Sequence, residues 1–424
     1  MEFYDYEEYV MTIIMAAGKG TRMKSKKSKL VHEIYGKPLV RRTVELAEKV
    51  GSQEIIAVVG HLREQVQAVL GDSVKYAYQD ELLGTGHAVM QARKYLEGKK
   101  GKVIILYGDV PIIRPETLHN LISKSIKNKE YATLLTAKYE NPTGYGRIIR
   151  DEGGNIKAIV EEKDADENQR KIKEINSGIY CFDIEELLKA LEKVNNNNVQ
   201  GEYYLTDVIK IMNEEGLKTG AVIVEDNTEI LGVNDRSQLE LLTRVLRMRI
   251  NAEHMRNGVT IEDSNSTYIY DDVEIGVDTI IHPNTIIKNN VKIGDNCEIG
   301  PNAYIRENCE IANDVKVGSF VEIKNVKVGE GTKIPHLSYL GDSEIGSNGN
   351  IGCGTITCNY DGVNKHKTSI GNNAFIGSNV NLVAPINIGD DVLIAAGSTI
   401  TEDVPSGKMG IARERQINKD KKNK

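Results

Sequence analysis

Hydrophobic positions follow one rule up to about residue 234 and another beyond residue 258. In the first part, short apolar runs alternate with segments of helical spacing. Thr12–Met15 is a β-branched and apolar run that ends in a Gly-rich loop. Leu39–Val50 has helical spacing, and Glu54–Val59 is a second apolar run. Val103–Leu106 is a third, stopping at Tyr107-Gly108-Asp109, and Leu118–Ile126 is again helical. Short apolar runs bounded by turns predict buried strands. Their alternation with helices predicts an α/β, Rossmann-like domain with a mostly parallel sheet covered on both faces. Ligands of such sheets lie beyond the carboxyl ends of the strands, so the loops after Met15 and Leu106 are the places to look.

Arg236–Gly258 carries Leu239, Leu242, Leu246 and Ile250 at three- and four-residue steps, which predicts one long helix with Gly258 as its stop. After it the period becomes six. Aliphatics recur from Ile269 through Ile287 and Ile305 to Ile323 and, after one-residue slips, at Val328, Ile334, Leu340, Ile345 and Ile351. They return from Ile370 to Ile400, often followed by Gly, with a small or branched residue four positions on, as at Thr285, Cys297 and Ala303. A period of six fits neither a helix nor a single strand. It predicts a hexapeptide β-helix of about seven coils, three hexads to each coil. The repeat is broken by one polar excursion, Thr357–Ser369. The expected organisation is a domain over 1–235, a linker helix over 236–258, and a β-helix domain over 259–424 that ends in a short basic tail.

Length and charge narrow the function. The 424 residues carry 40% hydrophobic and 27% charged side chains, ordinary for two or three globular domains. A net charge of −7 argues against a sequence-independent nucleic-acid binder, which needs a basic surface to displace counterions. No apolar run approaches the ~20 residues that span a bilayer. The acidic start MEFYDYEEYV lacks the regions of a signal peptide, and five Cys without a CxxC pair fit a reducing cytoplasm.

Four motifs carry candidate chemistry. In Met15-Ala16-Ala17-Gly18-Lys19-Gly20-Thr21-Arg22-Met23, glycines after a strand let backbone N–H groups approach a phosphate, and Arg22 adds a fork of donors. The spacing is neither that of a Walker A loop nor that of the dinucleotide fingerprint. Lys29 strengthens the phosphate reading, unless the run Lys24, Lys26, Lys27 and Lys29 is only a solvated face. Leu83-Gly84-Thr85-Gly86-His87 is a Gly-rich turn opening a helix, where Thr85 or a backbone amide could meet a base or ribose and His87 reads as structural. Asp109, at a strand's carboxyl end beside a phosphate loop, suits a Mg²⁺ ligand or a helix N-cap. In His336-Leu337-Ser338-Tyr339-Leu340-Gly341-Asp342, Ile334 and Leu340 keep the inward register, so His336 faces a corner or outward. Imidazole there is a suitable base for an amine. Arg306, Lys324 and Lys365 are either a basic anion pocket beside it or separate surface charges.

Together these residues resemble the bifunctional bacterial enzymes that join N-acetylglucosamine-1-phosphate uridylyltransferase to glucosamine-1-phosphate N-acetyltransferase. The likeness runs from Thr12 to about Gln416 and includes MAAGKGTRM, LGTGHA, LYGDVP, PTGYGRI, EINSGIY, QGEYYLTD, GVNDR, HLSYLGD, IGCGTITCNYDG and SNVNLVAP. The resemblance implies a left-handed β-helix, acetyl transfer from acetyl-CoA to glucosamine 1-phosphate in that domain, and uridylyl transfer from UTP in the first. It places Ala16, Ala17, Gly18 and Arg22 at the nucleotide loop. Lys29 and Arg22 lie on the triphosphate, Gln79, Gly84 and Thr85 at uracil, and Asp109 and Asn234 on Mg²⁺. Tyr107, Gly146, Glu161, Asn176 and Asn234 fall at the amino sugar.

In the second domain the resemblance makes His336 the base, with Asn359 orienting it. It puts Arg306, Lys324, Tyr339, Asn350 and Lys365 on the sugar phosphate. Cys353, Asn359, Tyr360, Ser378, Ala396 and Arg413 lie on acetyl-CoA. It also implies a homotrimer through the β-helix, with small molecules as partners and neither nucleic acid nor membrane insertion. This chain departs in having Ser28 before the lysine where Pro is common and Cys353 where Ala is usual. Its β-helix is also shortened between Gly258 and Arg306. Two other readings are a one-reaction sugar-1-phosphate nucleotidyltransferase with a regulatory or trimerising β-helix, and a trimerisation scaffold that only senses nucleotide. HLSYLGD with the intact excursion argues against the first. Arg22, Lys29, Asp109 and Asn234 argue against the second.

Overall fold

Alternation along the strand Val10–Ala16 sends Val10, Ile14 and Ala16 into one apolar cluster and Met11 and Ile13 into another. A strand buried on both faces belongs to a sheet covered on both sides, and the computed structural model, which describes residues 4–419, shows one. Its order is Thr219–Ile223, Ala132–Lys138, Glu174–Asp183, Lys102–Tyr107, Val10–Ala16, Glu54–Val59 and Lys75–Tyr78. Neighbours run parallel except around Glu174–Asp183, which is antiparallel to both strands beside it. The expected runs lengthen to full strands, and the expected helices become Leu39–Lys49 and Pro115–Lys127. The hairpin Arg147–Arg150 with Ile156–Val160 joins the sheet through Arg147 against Ile175. Strand order reverses at Val10–Ala16, so Ala17–Gly20 and Gly108–Asp109 open where two parallel strands end side by side.

The chain divides into two compact units between Thr243 and Arg244, inside the helix Arg236–Arg256. In the second unit the hexad aliphatics point inward: Ile281, Ile287, Ile299, Ile305, Val317, Ile323, Ile334, Leu340 and Ile351 are fully buried. The residues four positions on, Thr285, Val291, Cys297, Ala303, Cys309 and Val315, fill the same interior. Every strand pairs parallel with its counterpart one coil on, as Ile281 with Ile299 and Ile305 with Ile323. One face stacks nine strands from Thr260–Ile261 to Met409–Gly410, more than the seven coils expected. The count falls short because Ile261 stands eight residues before Ile269, and because Gly410 replaces the last aliphatic. The excursion is also shorter than expected. Thr357 and Thr368 are buried in strands Ile356–Cys358 and Thr368–Ile370, so the chain leaves the coil only between them.

Candidate active sites

The first site forms at the carboxyl ends of the strands Val10–Ala16 and Lys102–Tyr107. Ala16 and Ala17 are buried, Gly18 and Arg22 are exposed, and no ion pair holds Arg22 among the described residues. Ser28 caps the turn Lys29–Val31 by accepting from Leu30 N, which gives this residue a local role. Lys29 Nζ ion-pairs with Asp109 and also donates to Asn234 Oδ1 at 3.3 Å. Asp109 caps no helix: the next one is entered through Arg114. Its backbone O accepts from Val233 N at 2.8 Å, which brings the GVNDR segment alongside. A carboxylate and an amide oxygen thus converge on one cation. They are hard donors of the kind Mg²⁺ takes, with phosphates completing its shell. These residues are of the kind that would suit such an ion, and here they hold the lysine ammonium.

At the other side of the loop, Gln79 is buried and donates to Gly84 O at 3.1 Å, with His87 Nδ1 3.2 Å from its amide. Gln91 also meets the His87 ring, at 3.1 Å, so His87 is held on both nitrogens as a structural residue. Gly84 has φ +112°, and a Cβ there would fall 2.5 Å from Tyr203 O, so no side chain fits. Tyr203 N donates to Leu83 O and accepts Gly86 N through its own O, both at 2.8 Å. Thr85 Oγ1 accepts from Leu205 N at 3.1 Å, so part of its hydrogen-bonding capacity serves this clamp rather than a base. The clamp, from the QGEYYLTD segment, has no periodic signal by which the sequence could announce it.

Gly146, Glu161 and Asn176 converge. Asn176 N donates to Gly146 O at 2.9 Å, and a Cβ on Gly146 would lie 3.6 Å from both Glu161 Oε1 and Asn176 Cβ. Asn176 is buried and gives its amide to Tyr180 OH at 2.6 Å. Burial pushes the Glu161 carboxyl above the usual range. Thr206 Oγ1, donating at 3.2 Å, opposes this, and the acids Asp164, Asp207 and Glu202 add to it. Tyr107 closes the pocket wall against Gly178, its phenol also pushed up by burial.

The second site is a set of columns on the β-helix. Ser319 pairs with His336, and the pairing of Lys333 with Asn350 sets His336 beside Cys353. Ile351 pairs with Ile376 and Ile376 with Ile394, which places Ser378 and Ala396 in the same column. Backbone bonds follow this edge, from Asn379 N to Cys353 O at 2.7 Å and from Gly397 N to Ser378 O at 2.8 Å. Neighbouring coils in such a stack lie about 4.8 Å apart, so four residues spread over sixty positions of sequence form one strip. Arg413 reaches its far end beside Gly397. The His336 side chain is exposed at the end of the strand Lys333–His336 and has no side-chain partner among the described residues.

A second column holds Arg306, Lys324 and Gly341 at one register position. Lys324 is unpaired among the described residues, while Arg306 donates to Glu322 at 3.0 Å. Tyr339 stands on the neighbouring column with Glu322. Asn350 stands between Lys333 and Phe375, away from both columns. In the excursion, Tyr360 is exposed with its hydroxyl on Gly362 O at 2.6 Å. Lys365 lines a cleft of about 380 Å³ with Asn325, Lys327 and Asp342. The His366 ring, 2.7 Å from Asp361, draws that carboxyl well below the usual range. Asn359 does not orient His336 within the single chain. Its amide donates to Asp342 Oδ2 at 2.5 Å, because both stand on the corner of Asn308 and Asn325 while His336 adjoins the corner of Asn302 and Leu337.

A phosphate-type loop over an acid at a parallel-sheet switch point, joined to a hexapeptide β-helix with an exposed histidine strip, defines a nucleotidyltransferase fused to a hexapeptide transferase. Residues 11–240 match the nucleotidyl transferase family, and 290–325 and 367–402 match the bacterial transferase hexapeptide family of six repeats. The chain is 49% identical to the bifunctional protein GlmU of Acetivibrio thermocellus and 52% identical to that of Caldanaerobacter subterraneus subsp. tengcongensis, each time over 97% of both chains. The bifunctional protein GlmU of Brevibacillus brevis is 47% identical over 97% of this chain and 96% of its own. The chain belongs to the bifunctional GlmU family. The first two alignments extend over 446 positions, so those relatives carry segments that these 424 residues lack.

Proposed function

We infer that the two sites act in sequence on one amino sugar. The β-helix transfers acetyl from acetyl-CoA to the amine of glucosamine 1-phosphate. The N-terminal domain couples the resulting N-acetylglucosamine 1-phosphate to UTP and releases pyrophosphate. The observation that carries this is the strip His336–Cys353–Ser378–Ala396, on the same chain as the convergence of Lys29, Asp109 and Asn234. A one-reaction nucleotidyltransferase is not favoured, because the bifunctional relatives match over nearly the whole length.

In acetyl transfer the exposed His336 imidazole takes a proton from the sugar ammonium. The freed amine then attacks the thioester carbonyl and coenzyme A leaves as the thiol. The small side chains Cys353, Ser378 and Ala396 let an extended acyl carrier lie along the strip, with Arg413 at a coenzyme A phosphate and Tyr360 and Asn359 in the overlying excursion. Arg306, Lys324 and Lys365 bind the sugar phosphate, with Tyr339 at the sugar, while Asn350, away from both columns, takes no part in this pocket within one chain. In uridylyl transfer, Arg22 and Lys29 neutralise the triphosphate at the loop Ala16-Ala17-Gly18, and the sugar phosphate oxygen displaces pyrophosphate in line. Gln79, Gly84 and Thr85 seat uracil. Tyr107, Gly146, Glu161 and Asn176 hold the acetylated sugar. Asp109 and Asn234 are the oxygens that would bind Mg²⁺, which when present screens the phosphate charge.

The assembly we propose is a homotrimer of β-helices. Phe320 and Leu337 follow Ser319 and His336 on the strip's edge in left-handed backbone, and they stay 64% and 60% exposed in the single chain, an apolar margin suited to a second copy. Phe320→Asp should give monomers without acetyl transfer by light scattering and assay. The compartment we propose is the cytoplasm. Cys181, Cys297, Cys309, Cys353 and Cys358 are all free, and among the described residues no helix is long and apolar enough to cross a membrane. Incubation with glucosamine 1-phosphate, acetyl-CoA, UTP and Mg²⁺ tests the whole reading. Both N-acetylglucosamine 1-phosphate and its UDP derivative should accumulate. UTP consumed without any acetylation would restore the one-reaction alternative.

A further inference from the structure

One corner of the β-helix carries a ladder of side-chain amides. Asn290 donates to Asn308 Oδ1 and Asn325 to Asp342 Oδ1, each at 2.6 Å, and Asn359 donates to Asp342 Oδ2 at 2.5 Å. Asn290, Asn308, Asn325 and Asp342 all have φ between 49° and 63°, the left-handed corner that Asn and Asp tolerate best. Asp342 interrupts this run of amides with an acid. Its two oxygens accept from amides on opposite sides, one from the coil before and one from the residue at which the chain departs. An asparagine has a single acceptor oxygen, so at this position it would satisfy one neighbour and turn its own NH₂ toward the other.

Asn359 governs the departure. It follows the strand Ile356–Cys358 and is buried, and its backbone O accepts from His366 N at 2.8 Å. The bond to Asp342 therefore ties the outgoing and returning ends of the excursion to the coil. Gly341 makes the approach possible: a Cβ there would lie 2.6 Å from Tyr339 OH and 2.7 Å from Asn359 Nδ2.

We propose that Asp342 is a positioning residue for acetyl transfer. It holds Asn359, and through it the loop that presents Tyr360 and Lys365. The proposal rests on the assignment of His336, Asn359, Tyr360 and Lys365 to that reaction. Asp342→Asn keeps the shape and removes one acceptor. In the full-length chain it should lower kcat/KM for acetyl transfer about 10- to 100-fold, the usual effect of a small misplacement of a binding group. Uridylyl transfer and Tm should stay as in the wild type, while trypsin cuts faster after Lys365 and Lys367. Asn359→Ala should cost at least as much, since it also removes a group assigned to the reaction, and the double variant should cost no more than Asn359→Ala alone, because Asp342 acts only through Asn359. Asp342→Asn within threefold of wild type, or losses that multiply in the double variant, would overturn the proposal. Should Asp342→Asn be insoluble, Asn359→Asp sets two carboxylates against each other and tests the bond from its other end, where retained acetylation is the overturning result. Wild-type protein that fails to acetylate overturns the underlying assignment and the proposal with it. Active wild type with an equally active Asp342→Asn overturns the proposal alone.

Discussion

The Lys29 ammonium lies on the Asp109 carboxylate, eighty residues away in sequence, and reaches Asn234 from the same position. A lysine between the two oxygens that suit a divalent cation is a resident counter-charge. A triphosphate bound at this loop would offer Lys29 oxygens in place of the Asp109 carboxylate, which would then be free to hold a divalent cation. Lys29→Met should therefore act in opposite directions on two measurements. Uridylyl transfer should fall about 10²- to 10³-fold, as for other lost charge-stabilising donors. Binding of Mn²⁺ alone, followed by calorimetry without nucleotide, should tighten, because the competing cation is gone. Metal affinity that weakens in this variant would mean that Lys29 supports the site instead of filling it.

The two activities should separate by mutation. Asp109 and Asn234 belong to the first unit and the His336 strip to the second, and no proposed site residue serves both. Asp109→Ala should abolish use of UTP and leave the rate of acetyl transfer unchanged. A folded Asp109→Ala protein that loses both activities would show that the sites depend on one another.

How far these features could be read beforehand depended on how local their signals were. The β-helix was legible because most inward aliphatics repeat at a step of six, so Ile281, Ile299 and Val317 announce one another. The ends were not, since Ile261 and Gly410 break the step while keeping the fold. In the first unit the strands Val10–Ala16, Glu54–Val59 and Lys102–Tyr107 stood out as apolar runs. Glu174–Asp183 shows only the short run Ile179–Phe182 and not its full length, because Asn176 and Ser177 interrupt the strand and a register shift lies between Asn176 and Tyr180. Site residues on Gly-rich loops were visible from their composition. The links between distant segments, Lys29 with Asp109, Thr85 with Leu205 and Asp342 with Asn359, are properties of the folded chain that no spacing encodes. For Asp342 the sequence shows an acid after Asn290, Asn308 and Asn325, but the same change recurs at Asn296 with Asp314 and Asn373 with Asp391, so it does not single the residue out.

Acid should unfold the first unit partly through Glu54. This carboxylate accepts from Lys75 Nζ at 2.6 Å and Tyr9 OH at 2.7 Å, and it pairs with Lys99. Hydrogen bonds from Lys75 and then Lys99 draw its pKa from 4.5 to about 2 against the opposing effect of burial. A depressed folded-state pKa stabilises the protein above the unfolded value, and the stabilisation is lost as pH falls through 4.5 toward 2. Its full extent is about 3 kcal/mol. Glu54→Gln should lower the urea midpoint of this unit at pH 6 to 7, and the gap to wild type should close by pH 2 to 3. A gap of equal size at both ends would assign the loss to packing and not to charge.

His336 offers the sharpest test of the acetyl-transfer site. The amine of glucosamine 1-phosphate is largely protonated at neutral pH and cannot attack a thioester until a proton is removed. Imidazole is the side chain whose ordinary titration falls between pH 5 and 8. The His336 ring is exposed on the strip with Cys353, Ser378 and Ala396, and its nitrogens are free of partners among the described residues, so one can accept the proton from a bound ammonium. General-base catalysis is typically worth ~10²- to 10⁴-fold, so His336→Ala should lower acetyl transfer by about that factor and leave uridylyl transfer intact. The pH profile of acetyl transfer should also change shape in the variant, because the group that accepts the proton is gone. Measuring acetyl transfer from about pH 5.5 to 9 in both proteins separates the two profiles. A variant within about threefold of wild type at every pH would leave His336 a corner residue of the coil and move the base elsewhere.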